Sequence, residues 1–154
     1  MSEIKYLKPF INGEFISSKT DKYTDAYNPS TGEVIAKVPC CTPDEVNMAI
    51  ESAKEAFKTW SKVPVMKRVQ ILYKVRDLIE KNMDELTYLV AKEHGKTWYE
   101  AQGDVLKAKE PTELACSVPS LMMGESIFDA SSGYDTVLYR EPLGVFAGIA
   151  PFNF

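Results

Sequence analysis

The sequence has little histidine and little cysteine. It contains one histidine, His94, and three cysteines, of which Cys40 and Cys41 are adjacent. A structural metal site needs several Cys or His ligands at short spacing, and a disulfide framework needs an even set of cysteines. Neither pattern occurs in the sequence. We therefore expect no metal site and a reducing compartment, with Cys40, Cys41 and Cys116 packed as small apolar residues.

Long hydrophobic runs and an excess of positive charge are also missing. The longest apolar stretch, residues 145–151, is far shorter than the ~20 residues that a membrane-spanning helix needs. The first residues lack the apolar core of a secretory signal. The formal net charge of -4 removes the usual electrostatic basis for binding nucleic acid or an anionic membrane. We expect a soluble cytoplasmic protein.

Turn residues divide the first forty positions into two β-hairpins. Asn12-Gly13 stands between apolar flanks in residues 10–16, and both residues tolerate positive φ, which predicts a type I′ turn. A second hairpin is predicted from residues 23–27 and 34–38, because the connecting residues 28–32 contain Pro and Gly.

Capping signals then predict four helices. Thr42 and Thr97 each precede a glutamate by three positions, the pattern of a capping box. A helix opening near Pro64 is expected to bury Val69, Leu72, Val75 and Ile79. A third is predicted from a cap at Asn82 to a stop at Gly95. In the fourth, Pro111 is expected to kink or end the helix.

The last thirty residues read as strands of an α/β protein. Residues 136–140 are rich in β-branched and aromatic side chains, and residues 145–150 are almost wholly apolar, as in a central parallel strand covered by helices. Ligands of open α/β sheets bind beyond the carboxyl ends of strands, which is where Asn153 would lie. Its amide can donate to a developing oxyanion. Pro151 and Asn153 are equally typical of a simple turn, so the pattern alone leaves both interpretations open.

Several segments resemble the aldehyde dehydrogenase superfamily, and more narrowly its CoA-acylating methylmalonate-semialdehyde dehydrogenases. The segments that carry this resemblance are residues 11–14 (INGE), 28–35 (NPSTGEVI), 93–97 (EHGKT), 115–125 (ACSVPSLMMGE) and 149–154 (IAPFNF). The resemblance covers the whole chain. It implies the N-terminal part of that α/β fold: β-hairpins, a helical layer, an oligomerisation strand region near residues 124–141 and the first strand of the NAD-binding sheet.

The resemblance also assigns roles to residues. Asn153 matches the family's oxyanion-binding asparagine, while Ile149, Ala150, Pro151 and Phe152 match positions that line the NAD pocket. NAD would accept the hydride, and CoA would be the acyl acceptor. This family's cofactor mode needs no Gly-x-Gly-x-x-Gly loop, so the lack of one does not count against NAD. The family's nucleophilic cysteine and general base correspond to positions outside these 154 residues, so we expect the catalytic domain to be absent and this chain alone to be inactive.

One position bears on the substrate. Lys107 stands where relatives that act on carboxylated aldehydes present an arginine, and an ammonium group grips a carboxylate less rigidly than a guanidinium does. Lys107 would bind a malonate-type semialdehyde, or it is simply a solvated lysine and the substrate is an uncharged short aldehyde.

The resemblance leaves two functions to weigh. The intact enzyme, a homodimer or homotetramer, would oxidise methylmalonate or malonate semialdehyde to an acyl-CoA. Alternatively, the chain is a short non-catalytic module whose strand at residues 136–140 pairs with a full-length subunit, because unpaired edge strands recruit partners.

Overall fold

Short strands, a layer of helices and a terminal hairpin follow one another along the chain in the computed structural model, which describes residues 4–151. The first strands are β1 (Lys5–Tyr6), β2 (Phe10–Ile11), β3 (Glu14–Phe15), β4 (Tyr23–Tyr27) and β5 (Val34–Pro39). The helices are α1 (Pro43–Trp60), α2 (Val65–Lys81), α3 (Met83–His94), α4 (Trp98–Ala115) and α5 (Val118–Leu121). The last two strands are β6 (Ser126–Ser131) and β7 (Tyr134–Val137).

Both predicted N-terminal hairpins are confirmed. Strands β2 and β3 pair antiparallel around Asn12 (φ 53°) and Gly13 (φ 83°), so both turn residues have positive φ, as a type I′ turn requires. Strand β5 pairs antiparallel with β4 and parallel with β1, which gives a three-stranded sheet in the order β1-β5-β4.

An ion pair joins the two strands of the second hairpin. Asp25 and Lys37 lie directly opposite each other on β4 and β5, and Lys37 Nζ lies 2.5 Å from Asp25 Oδ1. Directly opposed residues of opposite charge stabilise an antiparallel pair. The same contact holds the pKa of Asp25 below its usual range.

Local capping explains where helices α1 and α4 begin. Thr42 and Thr97 each accept a hydrogen bond from the backbone N–H three residues on, and the side chains of Glu45 and Glu100 reach back to the N-cap backbone. Both predicted capping boxes are thus confirmed. Helix α3 begins directly after Asn82, as predicted, but the Asn82 side chain does not cap it, because its amide donates backwards to the carbonyl of Leu78, at 2.7 Å.

The buried centre lies where α2 and α3 pack against α4. Its buried apolar residues are Val69 on α2, Ala101 and Val105 on α4, and Cys116 just after α4. Cys116 is buried, which confirms the prediction that it packs in the interior.

Apolar residues on other helix faces remain uncovered. Val75 on α2 is exposed, so its predicted burial is wrong, whereas Leu72 and Ile79 are half-buried. On α1 the apolar residues Val46, Ile50 and Trp60 are also exposed. Periodicity identifies an apolar face, but the face is buried only where another element covers it.

Glycine at position 95 allows the end of α3 to meet the β4–β5 turn. Gly95 has a left-handed backbone (φ 67°) and its N–H donates to the carbonyl of Ala91, which confirms the predicted helix stop. A Cβ at this position would lie 2.8 Å from Cγ of Pro29, in the turn.

Gly95→Ala is expected to lower the free energy of unfolding by about 1 to 2 kcal/mol, the usual penalty for an L-residue in this conformation, with the contact at Pro29 adding to it. Urea unfolding of the chain measures this. Gly103→Ala is the matched control, because Gly103 lies inside α4, has no neighbouring atom within 4 Å of an added Cβ and should gain stability. Equal unfolding midpoints for the two variants would refute the expectation.

Pro111 does not end α4. The helix continues to Ala115 although Pro111 has no N–H for the carbonyl of Lys107. Both residues are exposed, so water can reach that carbonyl. The short helix α5, which follows, was not predicted.

The terminal hairpin shifts the strand that was predicted at residues 136–140. Strand β7 ends at Val137, earlier than residue 140, and its partner β6 was not predicted at all. The register shifts between Ile127 and Ser131, where Asp129 has a positive φ of 48°. Every residue of both strands is exposed.

Candidate functional site

The candidate cofactor segment follows the terminal hairpin. Residues 145–151, which include Ile149, Ala150 and Pro151, are exposed and form no regular secondary structure. The predicted buried strand at residues 145–150 is therefore wrong for the structure described. A central parallel strand needs neighbours on both edges, and residues 4–151 place no strand beside it.

The predicted oxyanion donor lies outside the described residues. The last described residue is Pro151, so the roles of Phe152 and Asn153 remain predictions from the resemblance. In the described part of the segment, the Ile149 side chain is fully exposed and the peptide groups of Ile149 and Ala150 belong to no described sheet.

Lys107 lies on the outer surface of α4. Its ammonium group contacts both carboxylate oxygens of Glu110, at 2.8 and 3.1 Å, and both side chains are more than half exposed. Among residues 4–151, no described hydrogen bond or ion pair joins Lys107 to residues 149–151. The spacing of three residues on a helix predicts such a pair, and sequence reasoning overlooked Glu110 as a competitor for a substrate carboxylate.

The remaining candidate groups are not gathered into a site. Cys40 and Cys41 are exposed, so the prediction that they pack in the interior was wrong. His94 is exposed in the last turn of α3. The described part of the chain contains no cluster of three His, Cys, Asp or Glu residues that could hold a metal ion. None of the described helices is long and apolar enough to cross a membrane.

Glu45 is the most strongly perturbed acid, and it has a structural role that extends beyond its own helix. Only 3% of the residue is exposed. Its carboxylate accepts from the backbone N–H of Thr42 (2.7 Å) and of Lys19 (2.8 Å), and from the Ser18 hydroxyl (3.0 Å). The two backbone donors have the largest effect on the pKa of Glu45. Together with the Ser18 hydroxyl they lower it to about 2. The capping box was predictable, but the bonds to residues 18 and 19 were not.

Comparison with known proteins decides the family. The sequence model of the aldehyde dehydrogenase family matches residues 15–154. The chain belongs to the aldehyde dehydrogenase family. This confirms the resemblance found in its motifs.

Relatives of this chain include malonate-semialdehyde dehydrogenases. The chain is 46% identical over 154 residues to malonate-semialdehyde dehydrogenase of Bacillus subtilis strain 168, and all of it aligns with 32% of that protein. It is 47% identical over 147 residues to the probable methylmalonate-semialdehyde/malonate-semialdehyde dehydrogenase [acylating], mitochondrial, of Aedes aegypti, where 96% of the chain aligns with 28% of the relative. The chain thus spans about 30% of the length of these relatives.

Solved structures give the same picture of the fold. A putative methylmalonate-semialdehyde dehydrogenase from Sinorhizobium meliloti 1021, complexed with NAD, superposes with a TM-score of 0.94 at 34% identity. The match covers 100% of this chain and 31% of the chain of that structure. Lactaldehyde dehydrogenase from Escherichia coli has a TM-score of 0.79 at 25% identity over 88% of this chain and 29% of its own. The mixed α/β architecture is therefore the N-terminal part of the aldehyde dehydrogenase fold, as the sequence predicted.

Proposed function

We propose that this chain is the N-terminal portion of an NAD-dependent aldehyde dehydrogenase that oxidises malonate or methylmalonate semialdehyde to an acyl-CoA. The identity of 46% over all 154 residues to a malonate-semialdehyde dehydrogenase is the observation that carries the proposal. The structural match to a methylmalonate-semialdehyde dehydrogenase complexed with NAD supports NAD as cofactor, and the word "acylating" in the Aedes aegypti relative's name supports CoA. We propose a cytoplasmic location on the composition alone.

The residues of this chain would bind NAD and polarise the aldehyde carbonyl, and none of them would attack it. Main-chain groups at Ile149, Ala150, Pro151 and Phe152 would hold NAD, which supplies the hydride acceptor. The amide of Asn153 would donate a hydrogen bond to the oxygen of the attacked aldehyde, and such a preorganised donor stabilises charge as it develops.

The isolated chain is not expected to turn over aldehyde. The family's nucleophile matches none of its three cysteines, and Cys116, the buried one, is packed beside α4 and shielded from solvent. We therefore assign the activity to the whole protein.

A hybrid enzyme tests the proposal. In this hybrid, residues 1–154 replace the aligned residues of the Bacillus subtilis relative. NADH formation from malonate semialdehyde, methylmalonate semialdehyde and propanal is measured with and without CoA. We expect CoA-dependent turnover of the semialdehydes by the hybrid and none by the isolated chain. A folded hybrid without turnover, or turnover by the isolated chain, would contradict the proposal.

Lys107 is expected to contribute to recognition of the substrate carboxylate. In the hybrid, Lys107→Met should lower kcat/KM for malonate semialdehyde about tenfold, which corresponds to one charge-assisted hydrogen bond of ~1.5 kcal/mol, and leave propanal unaffected. Lys54→Met is the matched control, because Lys54 pairs with Glu51 three residues away on exposed α1. Unchanged kcat/KM for malonate semialdehyde would assign Lys107 to the solvated surface, and equal losses for both aldehydes would show that it does not recognise the carboxylate.

The exposed terminal hairpin favours a second candidate role in assembly. Ile127, Phe128 and Tyr134 expose apolar surface on strands β6 and β7, and unpaired strand edges recruit partner strands. On this view the hairpin joins subunits into a homodimer or homotetramer, or joins this chain alone to a longer dehydrogenase. Co-purification with the Bacillus subtilis relative would support the second version, and a monodisperse monomer that does not bind the relative would count against it.

A further inference from the structure

Two adjacent cysteines lie between the end of β5 and the start of α1. Cys40 follows Pro39, the last residue of β5, and Cys41 precedes Thr42, the N-cap of α1. Both cysteines are exposed, whereas Cys116 is buried. Packing in the interior therefore does not account for the pair, and the proposed function uses neither thiol.

Charged residues lie on both sides of the pair. The backbone N–H of Cys40 donates to the carbonyl of Lys22 at 2.9 Å, so the segment before β4 lies alongside it. Asp21 and Lys22 in that segment, and Asp44 in the first turn of α1, are all exposed. Charged side chains are rarely buried unless they are paired, so we expect this part of the surface to face solvent in the whole protein as well.

The backbone is held on both sides of the pair, and the two thiols are too close for a relaxed disulfide. Besides the bond from Cys40, the N–H of Thr42 donates to the buried carboxylate of Glu45 at 2.7 Å. Cys40 and Cys41 belong to no strand or helix, so rotation about the bonds between them can bring both sulfur atoms to one side. Neighbouring Cα atoms are only ~3.8 Å apart across a trans peptide, less than the ~4.4 Å at which disulfides usually begin. A larger atom between the two sulfurs removes this restriction.

We propose that Cys40 and Cys41 form a bidentate thiol site for trivalent arsenic. An arsenoxide, R–As=O, condenses with both thiols: two As–S bonds form, the two S–H bonds and the As=O bond break, and the oxygen leaves as water with both protons. Arsenic stays trivalent, so no oxidant or reductant is needed. Once the first As–S bond has formed, the second thiol reacts intramolecularly at a high effective concentration. The site requires neither NAD nor aldehyde and does not depend on the proposed function.

Binding of phenylarsine oxide to the chain tests the proposal. Mass spectrometry of the intact chain is expected to show a single phenylarsenic group, which peptide mapping should locate on the Cys40-Cys41 pair. Glutathione, a monothiol, should leave the adduct in place, whereas the dithiol dithiothreitol should remove it. Cys40→Ser and Cys41→Ser should each weaken binding by on the order of 10²-fold or more, because a single sulfur cannot chelate. The double variant is the matched control, because it keeps only the buried Cys116 and should bind no arsenical.

The same probe decides whether the two thiols act together in the chain and in a whole dehydrogenase. Equal binding by the single variants and the unsubstituted chain, or removal of the adduct by glutathione, would show that they act separately and would overturn the proposal. An adduct on Cys116, or on no cysteine, would also overturn it. In the hybrid enzyme, peptide mapping should again find the adduct on the Cys40-Cys41 pair. Its absence there would overturn the proposal whether or not the hybrid turns over aldehyde, and a hybrid that carries the adduct but lacks turnover would refute only the proposed function.

Discussion

In the hybrid enzyme, Asn153→Ala is expected to lower kcat for malonate semialdehyde by about 10²- to 10³-fold, the usual loss when one oxyanion donor is removed. The reason is that the amide is most useful after attack, when negative charge develops on the aldehyde oxygen. The interaction is stronger in the transition state than with bound aldehyde, so KM should change far less than kcat. Steady-state NADH formation under saturating NAD measures both parameters.

Controls distinguish this role from a structural one. Asn47→Ala removes an exposed asparagine from α1 and should leave kcat unchanged. Asn153→Asp keeps the shape but replaces a donor with a charge that repels an oxyanion, so it should be at least as slow as Asn153→Ala. If Asn153→Ala keeps normal kcat, the turn interpretation of residues 151–153 is correct and the assigned role is wrong.

The elements that the sequence predicted correctly are those held by contacts within a few residues. The turn at Asn12-Gly13 and the helix starts at Thr42 and Thr97 depend on positive φ or on a bond three residues away. Such signals are complete within a short window of sequence. That is also why the stop at Gly95 was predictable, although its contact with Pro29, 66 positions earlier in the chain, was not.

The predictions that failed depended on what lies opposite a segment. Val75 and residues 145–150 have the apolar pattern of covered surfaces, yet residues 4–151 bring no element over them. A periodic pattern records which side chains prefer burial and carries no information on the partner. The close approach of the Gly124 and Leu138 backbones likewise joins residues 14 positions apart that no local motif relates.

The candidate site residues come from the resemblance, and Asn153 stays a prediction because it lies outside residues 4–151. The resemblance supplied Asn153 and the segment from Ile149 onward, because short motifs identify a family even where spacing alone allows a turn. It did not reveal that Lys107 pairs with Glu110, because a family motif says nothing about neighbours on the helix surface, although their spacing of three residues predicts the pair.

Glu45→Gln is expected to be the most destabilising exchange of a single side-chain group in the described residues, and to make stability less dependent on pH. At pH 7 the carboxylate accepts from two backbone N–H groups and one hydroxyl. Glutamine has one acceptor oxygen, and its NH2 would face a donor. Because Ser18 and Lys19 are attached to α1 through this group, the residues before β4 should detach from the helix. In urea unfolding, Glu45→Gln should therefore shift the midpoint at least twice as far as Thr42→Ala, which removes one cap acceptor and costs about 1 kcal/mol.

The pH dependence follows from the lowered pKa. The ordinary pKa of the glutamate is 4.5 and the folded value is about 2, so the unfolded chain binds the proton first as pH falls. Unfolding is then favoured by proton uptake, and the stabilising contribution of Glu45 is fully present above pH 4.5 and lost as pH falls toward 2. The difference in unfolding free energy between the unsubstituted chain and Glu45→Gln should shrink over this interval. Glu55→Gln, at an exposed position paired with Lys58, is the control and should give a small difference throughout. A Glu45→Gln difference that is constant from pH 7 to pH 2 would show that the carboxylate charge is not what holds residues 18 and 19 to the helix.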